Sequence, residues 1–147
     1  MISLTDFSLL STVELEPRDE PGRVAIDDSN RAHVALRRGG AVVSIDMSNG
    51  SILGRRNVCA APRGLFFDDD ETNGTKTLLV ACNGGQLISM DPASGAIVRK
   101  KRIEVGLRDV VADSTHIYVT KFRTAHAIVL DRQWRPAARV SRQPWTH

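Results

Sequence analysis

The sequence predicts an all-β fold, and the first of three observations behind this prediction is a repeated segment. Residues 38–50, RGGAVVSIDMSNG, and residues 83–95, NGGQLISMDPASG, share a glycine pair, a short apolar run, an aspartate and a closing glycine. Glycine accepts the positive φ of tight turns, so each segment is predicted to form a turn, a strand and a second turn. Residues 124–135 are a weaker third copy, which keeps the run AIVLD but lacks both glycine turns.

The second and third observations are the spacing of the copies and the number of strands that each unit can hold. The aspartates that end the three apolar runs recur at intervals of 45 and 40 residues, and an arginine precedes each copy at intervals of 40 and 45. These residues are Asp46, Asp91 and Asp131, and Arg23, Arg63 and Arg108. Four short apolar runs fit into each unit. Four strands per unit at a period of roughly 40–45 residues are typical of a β-propeller blade.

The whole chain, 1–147, is therefore predicted to be a single partial propeller domain of about three four-stranded antiparallel blades. The blades are expected at about 23–58, 63–105 and 108–140, with an additional N-terminal strand at 9–16 and a frayed tail at 141–147. The N-terminal strand is predicted from the alternating run TVELE, because alternation is the period of a half-buried strand. A closed ring has typically 4–8 blades. We therefore expect the terminal blades to expose apolar faces and open edges, which would favour self-association.

Composition excludes several classes of protein. A net charge of +3 over 147 residues is mild, and no basic helix or RNP-like aromatic cluster is present, so binding to nucleic acid is not predicted. No apolar run is long enough for a membrane span. The N-terminus lacks the basic and apolar regions of a signal peptide, so the chain alone leaves its localisation unknown.

Two cysteines, Cys59 and Cys82, have no zinc-binding spacing, and no CxxCH haem-attachment motif is present. Cys59 precedes the first strand of the second predicted blade, and Cys82 ends the second strand. Because these strands are antiparallel around a hairpin at 68–76, the two cysteines are expected to face each other at one end of it. They form either a disulfide in an oxidising compartment or two buried free thiols.

Arg23, Arg63 and Arg108 recur at one position of the predicted blade. The first strand of a blade lines the central channel of a propeller, so these side chains are expected at a rim of that channel. One interpretation is a basic rim that attracts an anionic ligand or partner. The other is structural: each arginine pairs with a nearby carboxylate or with a carbonyl of the next blade. Recurrence favours the structural interpretation, because repeats preserve what holds them together.

No catalytic, cofactor-binding or metal-binding residue is predicted. The four histidines, His33, His116, His126 and His147, have no metal-ligand spacing. Serine, histidine and aspartate are all present, but the GxSxG motif of a nucleophile elbow is absent. The acidic run at 68–74 departs from a calcium loop, since its glycine falls seventh and the distal glutamate is missing, so a solvated hairpin is favoured.

The repeats resemble the YVTN/NHL class of β-propellers, and GGQLISMDPASG is also similar to the strand and turn of quinoprotein-type propellers. Over residues 58–131, the segments VCAAPRGLFFD, LLVACNGGQLISMD and LRDVV…IYVTKFRTAHAIVLD resemble a group of bacterial secreted or periplasmic propellers, some of which are joined to a c-type cytochrome domain. In that group the two cysteine contexts occur together, so the resemblance implies that Cys59 pairs with Cys82. It also implies a periplasmic or extracellular location for the parent protein.

Three hypotheses for function follow. The first is a non-catalytic scaffold that presents one propeller face to a protein or small ligand. The second is the propeller part of a haem- or quinone-linked redox protein, and the third is a non-functional truncation. The chain departs from the family in having about three blades, no signal peptide and no haem motif. We therefore expect a fragment of a longer exported protein.

Overall fold

The computed structural model describes residues 1–141, which contain twelve β-strands and no helix. The strands are Pro21–Ile26 (β1), Arg31–Leu36 (β2), Ala41–Asp46 (β3), Ile52–Asn57 (β4), Pro62–Asp70 (β5), Thr75–Cys82 (β6), Gln86–Met90 (β7), Ile97–Arg102 (β8), Leu107–Ala112 (β9), His116–Lys121 (β10), His126–Asp131 (β11) and Pro136–Ser141 (β12). None of the described residues belongs to a helix long and apolar enough to cross a membrane.

The strands form three four-stranded antiparallel sheets, β1–β4, β5–β8 and β9–β12, each paired in sequence order. We call them blades one, two and three. The first strands of neighbouring blades lie against each other, β1 against β5 and β5 against β9. The prediction of an all-β partial propeller with three four-stranded blades is confirmed.

The recurring aspartates close the turn between the third and fourth strands of each blade. The carboxylate of Asp46 accepts hydrogen bonds from the Ser48 backbone N–H at 2.8 Å and hydroxyl at 2.6 Å. Asp91 and Asp131 accept equivalent backbone hydrogen bonds in the turns of blades two and three. These donors lower the pKa of all three aspartates. The repeat is therefore a device for terminating one strand and starting the next.

The core lies between the blades. Blade two is buried on both faces: Leu78 and Val80 of β6 pack towards blade one, and Leu79 and Ala81 pack towards blade three. Side chains of neighbouring strand residues point to opposite faces of a sheet. The continuous apolar run of β6 is thus explained, because a strand covered on both faces has no polar side.

A disulfide joins Cys59 and Cys82, with 6.3 Å between their Cα atoms. It links the segment before β5 to the end of β6, and Cys82 is fully buried in the core between blades one and two. In this structure the cysteines are therefore paired and are not free thiols.

The additional strand predicted at 9–16 is absent. Leu9 makes one isolated bridge with Ile2, and residues 10–16 have no regular structure. A strand needs a partner for its backbone hydrogen bonds, and the described residues place none beside this segment. Instead Leu15 packs on the outer face of blade one, against the cluster that contains Leu36 and Val43.

The outer faces of the terminal blades are partly exposed, as expected for an open arc. Val24 and Ile26 on blade one are 51% and 57% exposed, and Val111 on blade three is 49% exposed. Leu15 covers part of the first of these faces. Of the tail predicted at 141–147, Ser141 ends β12 and residues 142–147 lie outside the described residues.

We expect Gly64→Ala to destabilise the protein, because a Cβ at this position would lie 2.7 Å from the Asp109 Cα in the neighbouring first strand. Overpacking of this kind costs about 1–3 kcal/mol. Gly54→Ala is the matched control, since its Cβ would meet nothing within 4 Å. Chemical denaturation compares the two. A loss for Gly54→Ala as large as that for Gly64→Ala would contradict the close packing of β5 on β9.

We expect the Cys59→Ser, Cys82→Ser double variant to lose about 3 kcal/mol of unfolding free energy, because the bridge closes a loop across 23 positions. The measurement is denaturation of the variant and of the wild type, each with and without a reducing agent. Reduction should destabilise the wild type and leave the double variant unchanged. A wild type that is insensitive to reduction would argue against a stabilising role.

Candidate functional site

The three predicted arginines meet in one pocket at the start of the first strands. Arg23, Arg63 and Arg108 line a cavity of about 410 Å³, together with Arg37. Gly22, Val24 and Pro62 complete its wall. We call this the axial arginine pocket. It forms because β1, β5 and β9 lie side by side, and the first residues of all three strands lie on the same face of the arc.

Each first strand begins with a β-bulge, and the arginines lie in these bulges. The pairing shifts between Pro62 and Gly64 in β5, and between Leu107 and Asp109 in β9. Arg63 and Arg108 are therefore the extra, unpaired residues of these two strands. A bulge redirects a side chain out of the regular sheet pattern, and bulges are frequent beside functional sites.

The pairing register shows that Arg23 is not the equivalent of the other two arginines. Val24 pairs with Val34 as Leu65 pairs with Val80, so Arg23 corresponds to Gly64. The sequence spacing alone had suggested one common position. Only Arg63 and Arg108 recur structurally, which weakens the argument that recurrence makes all three structural.

Two of the four arginines in the pocket are neutralised by carboxylates. Arg23 of blade one forms an ion pair with Asp109 of blade three. Arg37 donates two hydrogen bonds to Glu20, at 2.8 Å from Nε and 2.5 Å from Nη2. The bond from Arg37 is the main cause that lowers the pKa of Glu20, and the charge of Arg63 also contributes.

Arg63 and Arg108 have a different environment. Their guanidinium carbons lie 5.6 Å and 4.6 Å from the centre of the Phe122 ring, within range of a cation–π interaction. Within residues 1–141, neither arginine forms an ion pair, and the buried Nε of Arg63 has no hydrogen-bond partner. The pocket therefore holds two guanidinium groups that form no ion pair within residues 1–141, although the charge of Arg63 acts on Glu20 at longer range.

A second cavity of about 320 Å³ shares Arg63 with the axial arginine pocket and has Phe122 in its wall. Its other residues are Asn83, Val105, Gly106, Lys121, Arg123 and Thr124. Phe122 is 54% exposed, so its ring is available on this side. Lys121 is paired with Glu104 at 2.8 Å. An exposed aromatic ring therefore lies beside the axial arginine pocket.

Sequence patterns did not identify Phe122, Arg37 or the partners Glu20 and Asp109. These residues lie at different positions of the repeat and meet only across blades. An exposed aromatic between basic residues, in KFR at 121–123, was the one available signal.

The acidic run at 68–74 of blade two forms ion pairs with an arginine of blade three. Arg132 of blade three donates to Asp68 at 2.7 Å and to Asp70 at 3.0 Å. Within residues 1–141, no group of three or more His, Cys, Asp or Glu side chains is arranged to hold a metal ion. These carboxylates connect two blades.

Neither a family model nor a curated protein sequence matches this chain. Several solved structures are similar to it. Hydrazine synthase from Kuenenia stuttgartiensis matches with a TM-score of 0.73 and 13% identity, over 92% of this chain and 39% of that chain. Virginiamycin B lyase from Staphylococcus aureus matches with a TM-score of 0.73 and 16% identity, over 89% of this chain and 44% of that chain.

BamB from Moraxella catarrhalis matches with a TM-score of 0.62 and 20% identity, over 82% of this chain and 36% of that chain. These neighbours are propeller-type proteins. At such identities the likeness shows the fold alone, and this chain spans less than half the length of each of the three. The chain therefore has the fold of part of a β-propeller.

Proposed function

We propose that this chain is a β-propeller binding scaffold and that its axial arginine pocket binds a small oxyanion, such as a phosphate or carboxylate compound. The observation that carries the proposal is the buried Nε of Arg63, which has no hydrogen-bond partner among residues 1–141. A buried donor without a partner costs about 1–3 kcal/mol, and more when it is charged. A bound oxyanion would remove this cost.

The chemistry of the pocket fits an oxyanion. Guanidinium groups present planar pairs of N–H donors that match carboxylate and phosphate oxygens. Arg63 and Arg108 converge on one aromatic ring, and the paired carboxylates of the pocket are already engaged by Arg23 and Arg37. The remaining positive charge attracts an anion, and attraction of this kind weakens as salt screens it.

We further infer that the chain belongs to a longer exported propeller of the YVTN/NHL type. Three observations support this: its glycine-and-aspartate repeats, its disulfide, and the 36–44% of each compared structure that it spans. Disulfides persist in oxidising compartments such as the periplasm. The open outer face of blade three is where a further blade, or a second copy of this chain, would pack.

We expect inorganic phosphate and citrate to bind the protein, as measured by isothermal titration calorimetry at low and at high salt. Arg63→Gln and Arg108→Gln should each weaken binding by about 10- to 100-fold, because a hydrogen bond to a charged group is worth about 1.5–3 kcal/mol. High salt should weaken binding to the wild type.

Arg99→Gln is the matched control. Arg99 also lies over an aromatic ring, 4.5 Å from the centre of Trp134, but outside the axial arginine pocket. This variant should bind both anions as the wild type does. Equal weakening by Arg99→Gln, or no binding by the folded wild type, would refute the assignment of the pocket.

We expect Arg63→Gln to lower the free energy of unfolding by less than about 1 kcal/mol, because the loss of a cation–π contact worth about 0.5–1 kcal/mol is opposed by the removal of a buried donor without a partner. Arg63 has no ion pair to lose within residues 1–141. Thermal denaturation tests this. A large loss of stability would instead favour a structural role for this arginine.

A further inference from the structure

Blade one contains a chain of three hydrogen-bonded side chains that the anion pocket does not use. Nε2 of His33 lies 2.9 Å from Oδ2 of Asp27, and Nδ1 of the same ring lies 2.8 Å from Oγ of Ser44. The side chains of His33 and Asp27 are fully buried, and Ser44 is half-buried. A nucleophile bonded to a base, and a base bonded to an orienting carboxylate, are the contacts that activate a serine.

Hydrogen-bond donors fix the proton positions in this chain. Asp27 accepts from the backbone N–H groups of Ser29 and Arg31, at 2.8 and 3.0 Å, and from Nε of Arg31 at 2.6 Å. Together with His33 these donors outweigh burial and lower the pKa of Asp27 to about 2. An ionised carboxylate only accepts, so Nε2 of His33 carries the proton. Nδ1 of the neutral ring then accepts, and the Ser44 hydroxyl donates to it.

The histidine and serine are not required by blade architecture. The pairing register makes Asp68 and Asp113 the equivalents of Asp27, so the aspartate is shared by all three blades. The position of His33, however, is Leu79 in blade two and Tyr118 in blade three. The position of Ser44 is Ser89 in blade two and Val129 in blade three.

The comparison shows which side chains of blade one are shared with the other blades and which are specific to it. Blades two and three form the same four-stranded sheets without a histidine–serine pair. Buried polar groups cost stability relative to well-packed apolar ones. In blade three the hydroxyl of Tyr118, at the position of His33, donates to Asp113 at 2.7 Å, so a side-chain bond to this aspartate is shared with that blade. The bond between His33 and Ser44 is the feature specific to blade one.

Ser44 opens onto a crevice between blades one and two. The crevice has a volume of about 130 Å³ and is bounded by β4 and by the turn at 92–95 of blade two. Arg56 of β4 also lines it, and within residues 1–141 Arg56 has no ion pair. A guanidinium at this place suits the negative charge that develops on a carbonyl oxygen under attack.

We propose that Ser44 is a nucleophile, activated by His33 and oriented through Asp27, that accepts the acyl group of a small ester in this crevice. Oγ of Ser44 bonds to the carbonyl carbon while its proton passes to Nδ1 of His33. The bond from the carbonyl carbon to the alcohol oxygen then breaks, and His33 returns the proton to the departing alcohol. Water releases the acyl group by the same route, with the proton returning to Ser44. The proposal is independent of anion binding in the axial arginine pocket.

Reactivity should depend on pH through His33. Burial is the main cause that lowers the pKa of this histidine below its usual 6.5, and the charge of Arg31 adds to it, while Asp27 opposes both. Two further charged groups lie near this site. Arg56 lines the crevice, and Asp91 of blade two interacts with the charge of Arg31. The neutral ring is the base, so the reaction rate should rise with pH and reach half its plateau below pH 6.5.

The test is labelling of the folded protein with a fluorophosphonate, in which Oγ attacks phosphorus and fluoride leaves. We expect one adduct per chain, located on Ser44 by peptide mass spectrometry. Ser44→Ala should abolish it, and His33→Gln should slow it by at least about 100-fold, the lower end of the usual contribution of a general base. Hydrolysis of p-nitrophenyl acetate should follow the same order.

Ser89→Ala is the matched control, because Ser89 occupies the same blade position opposite Leu79 and has no histidine beside it. This variant should react as the wild type does. The pH profile of the wild type needs no variant, so it decides the matter if His33→Gln fails to fold. A folded wild type without an adduct on Ser44, or with an adduct whose rate does not fall as the pH is lowered below 6.5, would overturn the proposal.

Discussion

The structure depends on the burial of blade two on both faces. Its second strand, β6, contributes Leu78 and Val80 to one core and Leu79 and Ala81 to the other. Neither neighbouring blade has this double cover among residues 1–141. Burying an aliphatic side chain is worth about 1.5–3 kcal/mol, so the two cores fix the arrangement of three sheets that would be marginal alone. The disulfide at the end of β6 strengthens the same blade.

This packing also sets where side chains can converge. Two cores that are filled by aliphatic residues hold β1, β5 and β9 side by side, and β5 approaches β9 so closely that only glycine fits at Gly64. The bulges that begin β5 and β9 then turn Arg63 and Arg108 into one space. The pocket is a consequence of the packing of the first strands, and its positive charge follows from the two bulged residues.

Much of the fold could be predicted from the sequence, because strand alternation, glycine turns and turn-closing aspartates act over a few residues. Hairpin symmetry predicted that the two cysteines face each other but left a disulfide and free thiols open, and the family resemblance implied the pairing that the structure contains. The prediction of a strand at 9–16 was wrong, because the alternation of apolar and polar residues does not show whether a partner strand is present. Phe122 and the hydrogen bonds of His33 were missed, because they depend on contacts between residues in different strands or blades. The single-residue offset of Arg23 was missed, because intervals of 40 and 45 residues do not show which residues pair across strands, and only the register places Arg23 level with Gly64.

Departures from the repeat are the most informative positions in such a protein. A side chain that recurs in every blade, such as Asp27, Asp68 and Asp113, can be explained by the blade itself. The bond between His33 and Ser44 does not recur, since Leu79 and Tyr118 occupy the position of His33, and of these two Tyr118 shares only the bond to the aspartate. The arginines follow the same logic: Arg23 has a carboxylate across the axis, whereas Arg63 keeps a buried donor without a partner in the described chain. Blade architecture accounts for the ion pair of Arg23, whereas the unpartnered donor of Arg63 is the feature on which the proposed oxyanion site rests.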